Sequence, residues 1–162
     1  MASVSVEIQL TNRTGDITLR NPRSYCYSGN CSVPPNPIIL PGHTGCCTFK
    51  NSPGQGSAGV LVYEAETFTL AILFSNNYNY GFYNTEFAVE ISPEKAHRGS
   101  LEMIYDRMYR RLSANSSNNG MFQFVRPSAT QQTIIVSAGG TEVMATMSKD
   151  EKSIIKVVVV NQ

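Results

Sequence analysis

The sequence predicts an all-β, two-sheet antiparallel β-sandwich with one flanking helix. Three observations carry that prediction: many short stretches of alternating apolar and polar residues, close spacing of the turn signals between them, and a single segment whose apolar period becomes helical. At 162 residues the chain fits one domain, 1–162, with no internal repeat, and a domain of that size buries most of the surface of its unfolded chain.

VSVEIQL (4–10) alternates strictly and is closed by the turn NRTG, so it opens the chain as a strand. DITLRN (16–21) follows as a second strand. The stretch 22–42 carries five of the eight prolines, which reads as a long irregular connection with a short apolar piece at 38–40. Further strands are expected at CCTFK (46–50), AGVLVYEA (58–65) and FTLAILF (68–74), the last two joined by a tight turn near Glu66 and Thr67, and at FAVEI (87–91). Beyond Pro93, Leu101, Ile104 or Tyr105, Met108 and Leu112 recur at helical spacing, with Ser100 as N-cap. Arg107, Arg110 and Arg111 stand at the C-terminal end of that helix, where its dipole favours cations. ANSSNNG (114–120) is a polar loop, and TIIVSAGG (133–140), EVMATMS (142–148) and IIKVVVVN (154–161) close the chain as strands.

Composition excludes several functions. Charged residues make up 15% and the net charge is +1, so the long-range field that a nucleic-acid binder uses is missing and no nucleic-acid partner is expected. The start, MASVSVEIQL, has neither a basic nor an apolar leader region, and the longest apolar run, VVVV (157–160), is far too short to span a bilayer. The expectation is a cytoplasmic or non-classically released protein, associating with membranes peripherally. Cys26, Cys31, Cys46 and Cys47 are read as free thiols, with a bridge from Cys26 or Cys31 to Cys46 or Cys47 as the alternative. Only His43 lies near them, so no metal or other cofactor is expected. The sequons at Asn12, Asn30 and Asn115 are read as chance in polar turns.

No catalytic motif occurs, and the chain is not expected to be an enzyme. His43 and His97 lack a neighbouring nucleophile or carboxylate pattern and are read as surface residues. PGQGSAG lacks the Lys and Ser or Thr of a phosphate loop. What stands out is FSNNYNYGFYNTEF (74–87), where Tyr78, Tyr80, Phe82 and Tyr83 are separated by Asn and Gly, a composition suited to an exposed loop. Tyr105 and Tyr109, at i and i+4, add two rings to one side of the helix; the alternative is that these rings pack on the sheet with hydroxyls at the rim. Tyrosine faces attract a quaternary ammonium by roughly 0.5–2 kcal/mol each. Three rings supply only about millimolar affinity for one headgroup, so useful binding needs multivalency or membrane insertion.

The stretch 56–87, GSAGVLVYEAETFTLAILFSNNYNYGFYNTEF, followed by IYDRMYRRL (104–112), resembles the actinoporins, the sphingomyelin-binding pore-forming cytolysins of sea anemones. Upstream, VEIQLTNRTG (6–15) is similar to the family's first strand and turn, and SYCYSG (24–29) to its Tyr-rich second strand. The resemblance implies a sandwich shared with fungal fruit-body lectins, and a phosphocholine pocket carried over as Ser28, Ala58, Ser75, Asn77, Tyr83, Tyr105 and Tyr109. Ser28, Ser75 and Tyr109 would bond phosphate oxygens, while Tyr83 and Tyr105 face the choline. Tyr80, Phe82, Glu86 and Arg110 would meet the membrane interface. Asn77 replaces the family's loop proline, Arg110 a third clustered tyrosine able here to pair with phosphate, and Phe82 and Glu86 exposed tryptophans; a carboxylate there opposes insertion. Only Met1, Ala2 and Ser3 precede the first strand, where the family carries a pore-lining helix. The expectation is a protein that binds choline-type lipid headgroups or a membrane surface, with self-association on membranes, and without a helix-lined pore. A glycan-binding lectin of the same fold and a cytolysin that inserts by another segment are the alternatives.

Overall fold

Side-chain burial follows the sequence alternation most simply in the first strand. In the structure, a computed structural model that describes residues 3–77, 85–113, 119–127 and 132–162, β1 (Ser5–Asn12) buries Val6, Ile8, Leu10 and Asn12 and leaves the residues between them half-buried. The chain continues through β2 (Leu19–Ser28), β3 (Asn30–Val33), β4 (Ile38–Ile39), β5 (Thr44–Lys50), β6 (Ser57–Glu64), β7 (Thr69–Asn76) and β8 (Glu86–Ser92). Then come α1 (Leu101–Ser113), β9 (Phe122–Val125), β10 (Ile134–Ala138), β11 (Thr141–Met147) and β12 (Lys152–Asn161). The strands form two six-stranded sheets, ordered β10-β11-β12-β1-β5-β3 and β4-β2-β6-β7-β8-β9. The sheets pack face to face, and α1 lies on the outer face of the second. The sandwich with one helix expected from the sequence is the fold found.

Four readings of the elements need correction. The sheets are not wholly antiparallel: β1 and β12 pair in parallel, from Ser5↔Lys152 to Asn12↔Val159, a long-range match that no local turn signal announces. Residues 22–42 are not one long irregular connection, since β2 runs on to Ser28, β3 follows, and the short apolar piece forms β4; 34–37 and 40–42 remain irregular. Pro22 is accommodated in β2 because the register with β6 shifts between Arg20 and Arg23, where a missing N–H breaks no regular ladder. The four-residue β9, paired with β8, was hidden by its shortness beside a polar loop. His97 is not a surface residue but wholly buried.

The two faces of the second sheet serve different layers. Leu61, Tyr63, Leu70, Ile72, Phe74, Phe87, Val89 and Ile91 point into the sandwich. Val60, Val62, Ala71, Leu73 and Ala88 point outward, under Ile104, Tyr105, Met108 and Leu112 of α1. Covered on both sides, β6, β7 and β8 are buried along almost their whole length, which explains their near-continuous apolar runs. At the start of α1 the Ser100 hydroxyl accepts from the Met103 amide at 3.4 Å, the N-cap that the sequence placed there.

A buried carboxylate fastens the helix. Glu90 lies on the outer face of β8; its Oε1 accepts from His97 Nε2 at 2.6 Å and Arg107 Nη2 at 2.8 Å, and its Oε2 from Arg111 Nη1 at 2.8 Å. A carboxylate only accepts, so His97 donates from Nε2; its Nδ1 lies 2.8 Å from the Thr69 hydroxyl on β7. Burial alone would raise the Glu90 carboxyl, but the hydrogen bonds from His97 and Arg107 and their charge outweigh it and hold the group at about 2. That is below the unfolded value of about 4.3, so the contribution is complete above the unfolded value and is lost as pH falls toward the folded one. Glu90→Gln is expected to cost about 3 kcal/mol at pH 7, because three donors then face a group that satisfies them poorly. In urea titrations followed by circular dichroism, the native protein should lose stability from about pH 4 to pH 2 and the variant should show a shallower loss; equal slopes would refute the assignment.

Candidate functional site

Where α1 passes over the β2, β6 and β7 ends of the second sheet, small and polar residues replace the apolar ones. Register makes a row of them: Ser28 on β2 is opposite Ala58 on β6, Ala58 is opposite Ser75 on β7, and Ser75 is opposite Glu86 on β8. Directly opposed residues share a face, so this row continues the outward face of Val60 and Val62. A bulge supplies the next element. Between Cys26 and Ser28 the register with β6 slips by one residue, leaving Tyr27 extra. In a regular strand Tyr27 and Ser28 would point to opposite faces; across the bulge both line the same cavity.

That cavity has a volume of about 590 Å³ and brings together Ser28, Ala58, Ser75, Asn77, Tyr105 and Tyr109, six of the seven pocket residues carried over from the resemblance. The seventh, Tyr83, lies outside the described residues, as do Tyr78, Tyr80 and Phe82. Sequence reasoning missed Tyr27, Gln55 and Asp106 in the lining. Tyr27 was in view within SYCYSG, and Asp106 adjoins Tyr105, but neither the bulge nor the reach of the 54–56 turn is written in a local pattern. Gly56 is needed there: a β-carbon would sit 2.0 Å from Asn77 Oδ1 and 2.5 Å from the Asn76 carbonyl oxygen.

The rings form a continuous stack. Tyr105 lies 5.3 Å from Tyr27 and 5.8 Å from Tyr109, with interplanar angles of 12° and 17°, and Tyr25 meets its edge at 5.8 Å. Tyr105 is 4% exposed, whereas Tyr27 is 66% and Tyr109 39% exposed. The exposed rings are therefore those of Tyr27 and Tyr109, and Tyr105 is their support. Burial, then the neighbouring tyrosines, push the Tyr105 hydroxyl above the ordinary phenol range, so it stays protonated. The Ser28 hydroxyl lies 3.0 Å from Gln55 Oε1 and 2.8 Å from the Gly56 carbonyl oxygen; its single hydrogen is engaged by these acceptors. Ser75 Oγ accepts from Asn77 Nδ2 at 2.9 Å.

The expected interface residues fare differently. Glu86 is not on an exposed rim: it is 4% exposed, in line with Ser75, and its Oε2 accepts from Arg126 Nε at 3.0 Å. Reading it as an insertion-opposing surface charge followed from its alignment with an exposed tryptophan of the family it resembles, without the register that sets it, buried, beside Ser75. Arg110 is exposed and does not line the cavity. A second cavity, of about 390 Å³, lies near Asp16, Glu66, Gly139 and Asn161 and holds none of the expected site residues.

Neither family models nor curated proteins match the sequence. Among solved structures, the chain is similar to that of the lipid binding protein Nakanori, with a TM-score of 0.71 and 16% identity over 98% of this chain and 71% of that one. At that identity the likeness is one of fold.

Burial raises the Glu86 carboxyl, and the charge and hydrogen bond of Arg126 offset only part of that. With the folded value above the unfolded one, its contribution to stability is fullest below about pH 4.3 and declines as pH rises through the folded value. Glu86→Gln, unlike Glu90→Gln, is therefore expected to be at least as stable as the native protein at pH 7, with the advantage gone near pH 4. Urea midpoints at the two pH values check this; a clear loss at pH 7 would mean that the Arg126 pair outweighs burial.

Proposed function

We propose that this chain is an actinoporin-like peripheral membrane protein that binds phosphocholine headgroups of sphingomyelin or phosphatidylcholine in the cavity between α1 and the β2-β6-β7 row. The observation that carries the reading is the convergence of Ser28, Ala58, Ser75, Asn77, Tyr105 and Tyr109 on one cavity beside exposed tyrosine rings. The ordered sequence resemblance and the fold shared with a lipid binding protein support it.

The chemistry of binding follows from the rings. Tyr27 and Tyr109 bring exposed rings to the cavity, each worth roughly 0.5–2 kcal/mol toward a quaternary ammonium. Ala58 keeps the floor low, while the Asn77 amide and the backbone at Gly54 and Gly56 border the cavity as neutral polar groups. Two or three rings give only about millimolar affinity for one headgroup, so firm attachment rests on several copies engaging one bilayer or on apolar contact with it.

Leakage is a separate matter. A helix that lines a pore must leave the sandwich and cross about 30 Å of hydrocarbon. Among the described residues no helix is long and apolar enough to cross a membrane, and α1, 13 residues long, is tied to β8 through Glu90. The function proposed is therefore attachment, with no dye release through α1.

Cosedimentation with phosphatidylcholine and sphingomyelin vesicles tests the reading. Tyr27→Ala and Tyr109→Ala, both at exposed rings, should each weaken binding about 3- to 10-fold while leaving the unfolding midpoint nearly unchanged. Native protein that does not sediment with either vesicle, or glycan binding that phosphocholine does not compete, would move the site to another ligand.

A further inference from the structure

The charge of the cavity narrows its ligand further. Asp106 is the one charged side chain among the described residues that line it, and it enters no ion pair among the described residues. The residues outside that description, at 1–2, 78–84, 114–118 and 128–131, all have uncharged side chains. The arginines nearby are committed elsewhere: Arg107 and Arg111 to Glu90, and Arg126 to Glu86. Arg110 is not part of the lining. An anionic group in this cavity thus meets neutral donors alone, and the Ser28 hydrogen already points to protein acceptors. A cation meets a carboxylate and the exposed rings of Tyr27 and Tyr109.

We infer that the pocket selects its ligand by the cation, with Asp106 as the countercharge, so that its ligand class is quaternary ammonium groups whether or not a phosphate is attached. The inference rests on the headgroup-binding reading for its membrane setting but not for its chemistry. Phosphate becomes a tolerated part of the ligand, held by neutral polar groups. Because the carboxylate repels net-anionic headgroups, Asp106 sets a preference for choline lipids over phosphatidylglycerol. Asp106 is exposed and its replacement by Asn preserves shape, so the fold does not depend on its charge.

Two measurements on the whole chain decide the matter. The first is flotation with phosphatidylcholine or phosphatidylglycerol vesicles, with choline chloride, tetramethylammonium chloride, phosphocholine or sodium phosphate as competitors at matched ionic strength. The second is a titration of the free protein with choline chloride followed by amide NMR shifts. Choline and tetramethylammonium should displace phosphatidylcholine vesicles at concentrations within about threefold of phosphocholine, and phosphate should not. Asp106→Asn should weaken binding to choline vesicles by about 3- to 10-fold and narrow the preference over phosphatidylglycerol. Displacement by phosphocholine but not by choline, or an unchanged Asp106→Asn, overturns the inference and leaves headgroup binding standing. Choline shifts centred on Tyr27, Asp106 and Tyr109 without vesicle binding leave the inference intact and remove the membrane role. No choline shifts and no vesicle binding overturn both.

Discussion

The position of one helix on one sheet determines whether this molecule has a site, and a buried carboxylate fixes that position. Glu90 takes donors from His97 ahead of α1 and from Arg107 and Arg111 within it, while Thr69 on the neighbouring strand braces His97. Apolar packing of Ile104, Met108 and Leu112 on Val60, Val62, Leu73 and Ala88 supplies adhesion but tolerates sliding. Directional bonds to Glu90, with the Arg111 guanidinium 3.7 Å over the Phe122 ring, do not. The register so set carries Tyr105 and Tyr109 out over the small residues of the row Ser28, Ala58 and Ser75.

Two carboxylates four residues apart on the same face of β8, Glu86 and Glu90, show how much surroundings matter. Glu90 has three donors and is a net tie. Glu86, with Arg126 as its ion-pair partner, carries an uncompensated part of its burial cost. A strained charge beside a candidate binding row, in a protein that would be no less stable without it, fits a surface shaped by recognition.

Much of the architecture was legible because it is local. The alternation of β1, the apolar runs of β6 and β7, and the change of period at α1 each follow from side-chain geometry within a few residues. What escaped depends on distant partners: the parallel match of β1 with β12, the burial of His97, and the absorption of Pro22 into a strand. The site divides along the same line. Tyr105 and Tyr109 were singled out by their i, i+4 spacing on one helix, but Ser28, Ala58, Ser75 and Asn77 were reached through an ordered set of motifs, not through physics, since no local pattern says that residues so far apart in sequence share a face. Tyr27 and Asp106 were missed because a bulge and a cavity wall are properties of assembled strands.

The parallel pairing of β1 with β12 also orders events during synthesis. The first sheet cannot be completed until β12 has been made, because β12 lies between β1 and β11. The second sheet draws on β2, β4 and β6 to β9, all made before β10 begins. A nascent chain can therefore assemble the half that bears the cavity while the other half still waits with β1 and β5 paired and one edge open. That exposed edge is a place where a translational pause or a chaperone would alter the yield of folded protein without touching the ligand pocket.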